Sequence, residues 1–65
     1  MQICVNGAWR ESHAADLAGA LVELGYGDSV VATALNGEFV AASARDAARL
    51  NEGDHLEVLA PMQGG

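Results

Sequence analysis

The sequence predicts an α+β domain in which one helix lies across one face of a mixed sheet of four to five strands. Three observations carry that reading. Two Asn-Gly pairs, Asn6-Gly7 and Asn36-Gly37, each sit between short runs that read as strands, the first of them entered by alternating apolar residues. One stretch, Asp16 to Gly25, repeats instead with the period of a helix. The alternation then returns from His55 and runs up to Pro61.

In chain order, "MQICVNGAWRES" alternates through Met1, Ile3 and Val5 before Asn6-Gly7. Asn and Gly both tolerate positive φ, which a tight hairpin turn demands. Ile3 and Val5 are expected to face the core. A two-residue turn places Cys4 and Trp9 on the opposite face, and a longer loop would change that register. In "DLAGALVELG", Leu17, Leu21 and Leu24 fall at i, i+4 and i+7, with Ala20 completing the stripe. Asp16 is the expected N-cap and Gly25 the expected stop at C′. Gly19 inside this helix costs about 1 kcal/mol relative to alanine.

"SVVATALNGEFVAA" predicts a second strand–turn–strand unit, and "SARDAARLNEGD" a single helical turn followed by a chain reversal. In "HLEVLAP" one face takes Leu56, Val58 and Ala60, and the other His55, Glu57 and Leu59. Pro61 has no N–H to pair, so the ladder is expected to end about there. Residues 1–61 then form the domain and residues 62–65 a flexible tail.

Composition narrows the function. With 65 residues and 51% hydrophobic content, the chain forms one small core with little surplus for a deep pocket. A formal charge of −6 leaves almost nothing to neutralise phosphates, which argues against nucleic acid and against an anionic membrane. The acidic surface steers instead towards a basic patch on a protein. A single cysteine, Cys4, fits a reducing compartment, and no basic-plus-apolar leader precedes the first strand. The expected location is cytoplasmic.

No site of the chain's own stands out. Cys4 and His55 fall on neighbouring strands if the first and last strands pair, but no third residue or oxyanion site accompanies them. One cysteine and the distant His13 and His55 lack metal-ligand spacing. "GYG" and "NGE" lack the strand–loop–helix context of a phosphate loop. Trp9 reads as a packing or partner-contact residue. The expected catalytic and metal residues are therefore none.

The segments "VATALNGEFV" and "LNEGDHLEVL", in that order and followed by "APMQGG", resemble the ThiS family of sulfur carrier proteins in thiamine biosynthesis. The resemblance covers essentially the whole chain and is closest from Val31 to Gly65. It departs at Ala41-Ala42, where the family often has Pro-Arg, and at Gly19. It implies the ubiquitin-like β-grasp fold and a protein that is a cosubstrate and not an enzyme. It further implies that the Gly65 carboxylate is adenylated by a ThiF-type enzyme using ATP and Mg, with no cofactor bound by the carrier itself. Sulfur from a persulfide donor, such as a cysteine desulfurase, then leaves a thiocarboxylate on Gly65. A ThiG-type thiazole synthase receives it. The tail Met62, Gln63 and Gly64 would thread into partner sites. Read from the residues, Leu59 and Met62 beside the tail are either isolated exposed apolar side chains or part of a docking patch for the adenylating enzyme, and Glu52, Asp54 and Glu57 are either a solvated face or charges that steer docking towards a basic partner.

The residues suit that chemistry. An α-carboxyl is ionised at neutral pH. Glycines without a Cβ pass a narrow channel, and a tail of four or five residues reaches about 13–18 Å. Two other readings share the ending: a MoaD-like carrier for molybdopterin or another sulfur-containing metabolite, in a family whose chains are usually longer, and a ubiquitin-like protein modifier. The absence of lysine removes lysine-linked self-conjugation from the latter. A plain interaction module with an idle tail is the remaining class, and it predicts no effect of deleting Gly64 and Gly65.

Overall fold

The computed structural model describes residues 1–27 and 29–60. Two hairpins frame a five-stranded sheet. The first joins β1 (Gln2–Val5) to β2 (Ala8–Glu11), the second β3 (Ala32–Leu35) to β4 (Glu38–Val40). Both turn on their Asn-Gly pair as anticipated. Asn6 and Gly7 have φ of 50° and 86°, and Asn36 and Gly37 have 51° and 85°. Positive φ at both central residues is the turn whose twist matches the flanking strands. The last strand, β5 (His55–Leu59), lies at the centre, in the order β2-β1-β5-β3-β4. It runs parallel to β1 and antiparallel to β3. This is the arrangement that the β-grasp resemblance implies.

The two turn asparagines do more than turn. Asn6 accepts from Val58 N at 2.8 Å and donates to Val58 O at 3.1 Å, continuing the β1–β5 ladder with a side-chain amide. On the other side of β5, Asn36 Oδ1 accepts from His55 N at 2.9 Å while its Nδ2 donates to Asp54. Each hairpin turn thus holds a different end of the central strand.

One helix, α1 (Leu17–Glu23), covers one face of the sheet. Asp16 caps it by accepting from Gly19 N at 2.8 Å. It ends as expected at Gly25, φ 91°, where Gly25 N donates to Val22 O and Tyr26 N to Leu21 O. Those two bonds satisfy carbonyls that the last turn leaves unpaired. Gly19 has a local reason: a Cβ there would sit 3.3 Å from the capping oxygen of Asp16. Leu17, Ala20 and Leu21 are buried and Leu24 packs against their edge, against Ile3 and Val5 of β1 and Leu56 and Val58 of β5. Val31 and Leu50 close the ends of this core.

Three expectations are adjusted. The helical turn after β4 is a 3-10 helix over Ala42–Ala47. It is pinned through Arg45, which donates to Val31 O at 2.6 Å and to Thr33 Oγ1 at 3.0 Å. The buried Thr33 hydroxyl in turn donates to Val40 O, linking the arginine to both strands of the second hairpin. Secondly, β5 stops at Leu59, so Ala60 is exposed and does not join the face of Leu56 and Val58. Thirdly, β3 starts only at Ala32, leaving Val30 in the preceding loop and exposed.

At its far end α1 is tied back to the first hairpin. Glu23 accepts from the buried Ser12 hydroxyl at 2.6 Å and from His13 N at 2.9 Å. These two donors hold its carboxyl below the usual carboxylate value. The Met1 ammonium meets Glu11 at 2.7 Å, which raises the amine and lowers the carboxyl. Among the described residues no helix is long and apolar enough to cross a membrane.

Candidate functional site

The face of the sheet opposite α1 has no layer over it among the described residues, and it carries the site. Alternation puts one residue in two from each strand on this side. From β5 these are His55, Glu57 and Leu59, from β3 Ala32 and Ala34, and from β4 Phe39. Pairing brings Leu59 beside Ala32, Glu57 beside Ala34, and Ala34 beside Phe39. The small alanines leave a shallow groove of about 210 Å³ between Phe39 and the Leu59–Glu57 edge of β5. Leu59 is 67% exposed and Phe39 73%. Two large apolar side chains so exposed on one groove form a surface suited to covering by another molecule.

The sequence-based docking residues Leu59 and Glu57 are therefore brought together on one groove. Met62, Gln63, Gly64 and Gly65 lie outside the described residues, as does Pro61, so the proposed boundary of the tail does too. Leu59 is two residues before Pro61, which places the groove at the end of β5 from which the last residues depart.

Phe39 was not anticipated. Its signal was present in "NGEFV": once the Asn-Gly turn fixes the register, Val40 shares the core face and Phe39 must point away from it. A bulky aromatic out of phase with its strand's core residues marks an exposed apolar position.

The other half of the open face is built on β1 and β2. Cys4 pairs with Trp9 on one side and His55 on the other, so the first and last strands do lie side by side. The Trp9 and His55 rings meet edge to face at 5.5 Å, and Cys4 between their strands is only 5% exposed. The imidazole's ring partner is an indole, and the thiol is shielded. Among the described residues no group of three His, Cys, Asp or Glu side chains could hold a metal ion.

Charge is segregated between the two faces. Arg45 is occupied beneath α1's side of the sheet, Arg49 sits in the segment bridged to Asp16, and Arg10 pairs in register with the core residue Ile3. The open face instead carries Glu57 and, at its β2 edge, Glu11 beside Gln2. At that edge the Met1 ammonium pairs with Glu11, which leaves Glu57 as the unpaired carboxylate on the strands of this face among the described residues.

No curated protein matches the chain at a significant level. Among solved structures, a thiamine biosynthesis protein (ThiS) from Geobacter metallireducens is 32% identical, matches over 100% of both chains and superposes with a TM-score of 0.83. The model of the ThiS family matches residues 3–65. Both matches span the two hairpins, the capped helix and the groove beside the end of β5, and on them the chain belongs to the ThiS family.

Proposed function

We propose that this protein is a sulfur carrier for the thiazole-forming branch of thiamine biosynthesis. A family match that runs through Gly65, joined to a full-length structural match with a ThiS protein, supports this reading above all else. The chain acts as a protein cosubstrate. Its Gly65 carboxylate attacks the α-phosphate of ATP on a ThiF-type enzyme, which supplies the nucleotide site and Mg, and pyrophosphate leaves. A carboxylate is ionised at pH 7 but is a poor acyl donor, and adenylation attaches the leaving group it lacks. A persulfide sulfur then displaces AMP, and thiol cleavage of the resulting S–S bond leaves the thiocarboxylate. A ThiG-type synthase consumes that sulfur.

The groove lined by Leu59, Phe39 and Glu57 docks the body of the carrier while Met62, Gln63, Gly64 and Gly65 enter the active site. The shallow groove fits a role in holding a protein surface and not in enclosing a small substrate. Its acidic character favours a basic partner surface.

Pyrophosphate exchange by the ThiF-type enzyme tests the reading. Gly65→Ala is expected to reduce exchange sharply while the thermal unfolding curve stays that of the wild type, because only the reacting end is altered. Normal exchange with the variant would contradict tail threading.

A further inference from the structure

The groove accounts for one half of the open face, and the other half holds an unusual pair. Trp9 is 58% exposed on the edge strand β2, although tryptophan is the residue type whose burial is most stabilising. His55 beside it is exposed as well. Trp9 contributes little to the core, which lies on the opposite side of the sheet. Its indole forms a platform, steadied on one side by the His55 ring at 71°.

We infer that Trp9 and Glu57 together form an anchor for an arginine side chain of the adenylating enzyme; this rests on the docking role of the open face. A guanidinium stacks flat on an indole and forks to a carboxylate, and an ammonium does neither as well. Glu57 follows His55 by two residues on β5, so its carboxylate rises from the same face about 7 Å along the strand. Glu11, two residues along β2 from Trp9, adds negative potential from the edge, although its oxygens already accept from Gln2 and Met1. No described lysine or arginine of the chain itself shares this face to compete for the indole.

The experiment measures the dissociation constant of the full chain for the adenylating enzyme at pH 7.5. Trp9→Leu keeps an apolar cover over Cys4 but removes the π face, and is expected to weaken binding about tenfold at pH 7.5, with Trp9→Phe in between. Unchanged binding by Trp9→Leu would overturn the inference. If Leu59→Ala weakens binding while Trp9→Leu does not, docking by the open face stands and the arginine anchor falls. A wild type that fails to bind overturns both.

Discussion

The two faces of the sheet are made from the same strands and differ in almost every physical respect. On the covered face, Ile3, Val5, Leu56 and Val58 meet α1, and burial there supplies the stability of a chain small enough to have only one core. On the open face the alternate positions of β2, β4 and β5 carry Trp9, Phe39 and Leu59, all more than half exposed. Those side chains are large and apolar, yet they stabilise the isolated fold little. Under the proposed docking role, folding and recognition are separated by one residue's step along a strand.

The sharpest way to break this comparison is to exchange equivalent truncations between the faces. Leu56→Ala removes a fully buried leucine and should cost about 2–5 kcal/mol. For a core expected to supply about 3–5 kcal/mol, a loss at the upper end of that range unfolds much of the population at 25 °C and a smaller one lowers the melting temperature sharply, both read by circular dichroism. Next comes Asn6→Gly, which keeps the positive φ of the turn but deletes both bonds to Val58. It should cost about 1–3 kcal/mol in urea unfolding, because the Val58 amide between β1 and β3 is left unpaired. Asp16→Ala, which removes only the helix cap, should cost about 1 kcal/mol. Smallest of all is Leu59→Ala, expected within about 0.5 kcal/mol of the wild type in stability while weakening partner binding. A large loss of stability from Leu59→Ala would mean that the open face is part of the fold after all.

Acidity probes the ties between the helix and the first hairpin. Glu11 and Glu23 are held below their ordinary value of 4.5, so their contribution is present above that pH and is lost as the pH falls through the lowered values. The Met1 amine is held above its ordinary value of 8.0, so its contribution is present below that pH and is lost as the pH rises through the raised value. Thermal stability should therefore be flat between these limits and decline outside them. Glu23→Gln is expected to shallow the acid limb and to change the alkaline limb little, because Glu23 is the smallest of the causes that raise the Met1 amine.

Much of the covered face was legible in the sequence because its rules are local. An Asn-Gly pair restricts a turn to positive φ, and a leucine stripe ending in Gly25 describes a helix whatever surrounds it. Other features needed partners distant in sequence. The second role of Asn6 depends on Val58, 52 residues away, and Arg45 finds Val31 and Thr33 only after the second hairpin has formed. Gly19 looked unfavourable by propensity, and its reason is the oxygen of Asp16 folded over it. On the open face, Leu59 and Glu57 followed from the phase of β5, whereas Phe39 required the register of a second hairpin as well. The role proposed for Gly65 rests on resemblance, since a terminal glycine pair carries no pattern of its own.

The most direct test of the account is the intact mass of the protein purified from its own cells without alkylating agents, and again after incubation with ATP, the ThiF-type enzyme and a sulfur source. The account predicts a species heavier by one sulfur-for-oxygen exchange, with fragmentation placing it at Gly65. Unmodified protein under both conditions would contradict the carrier role.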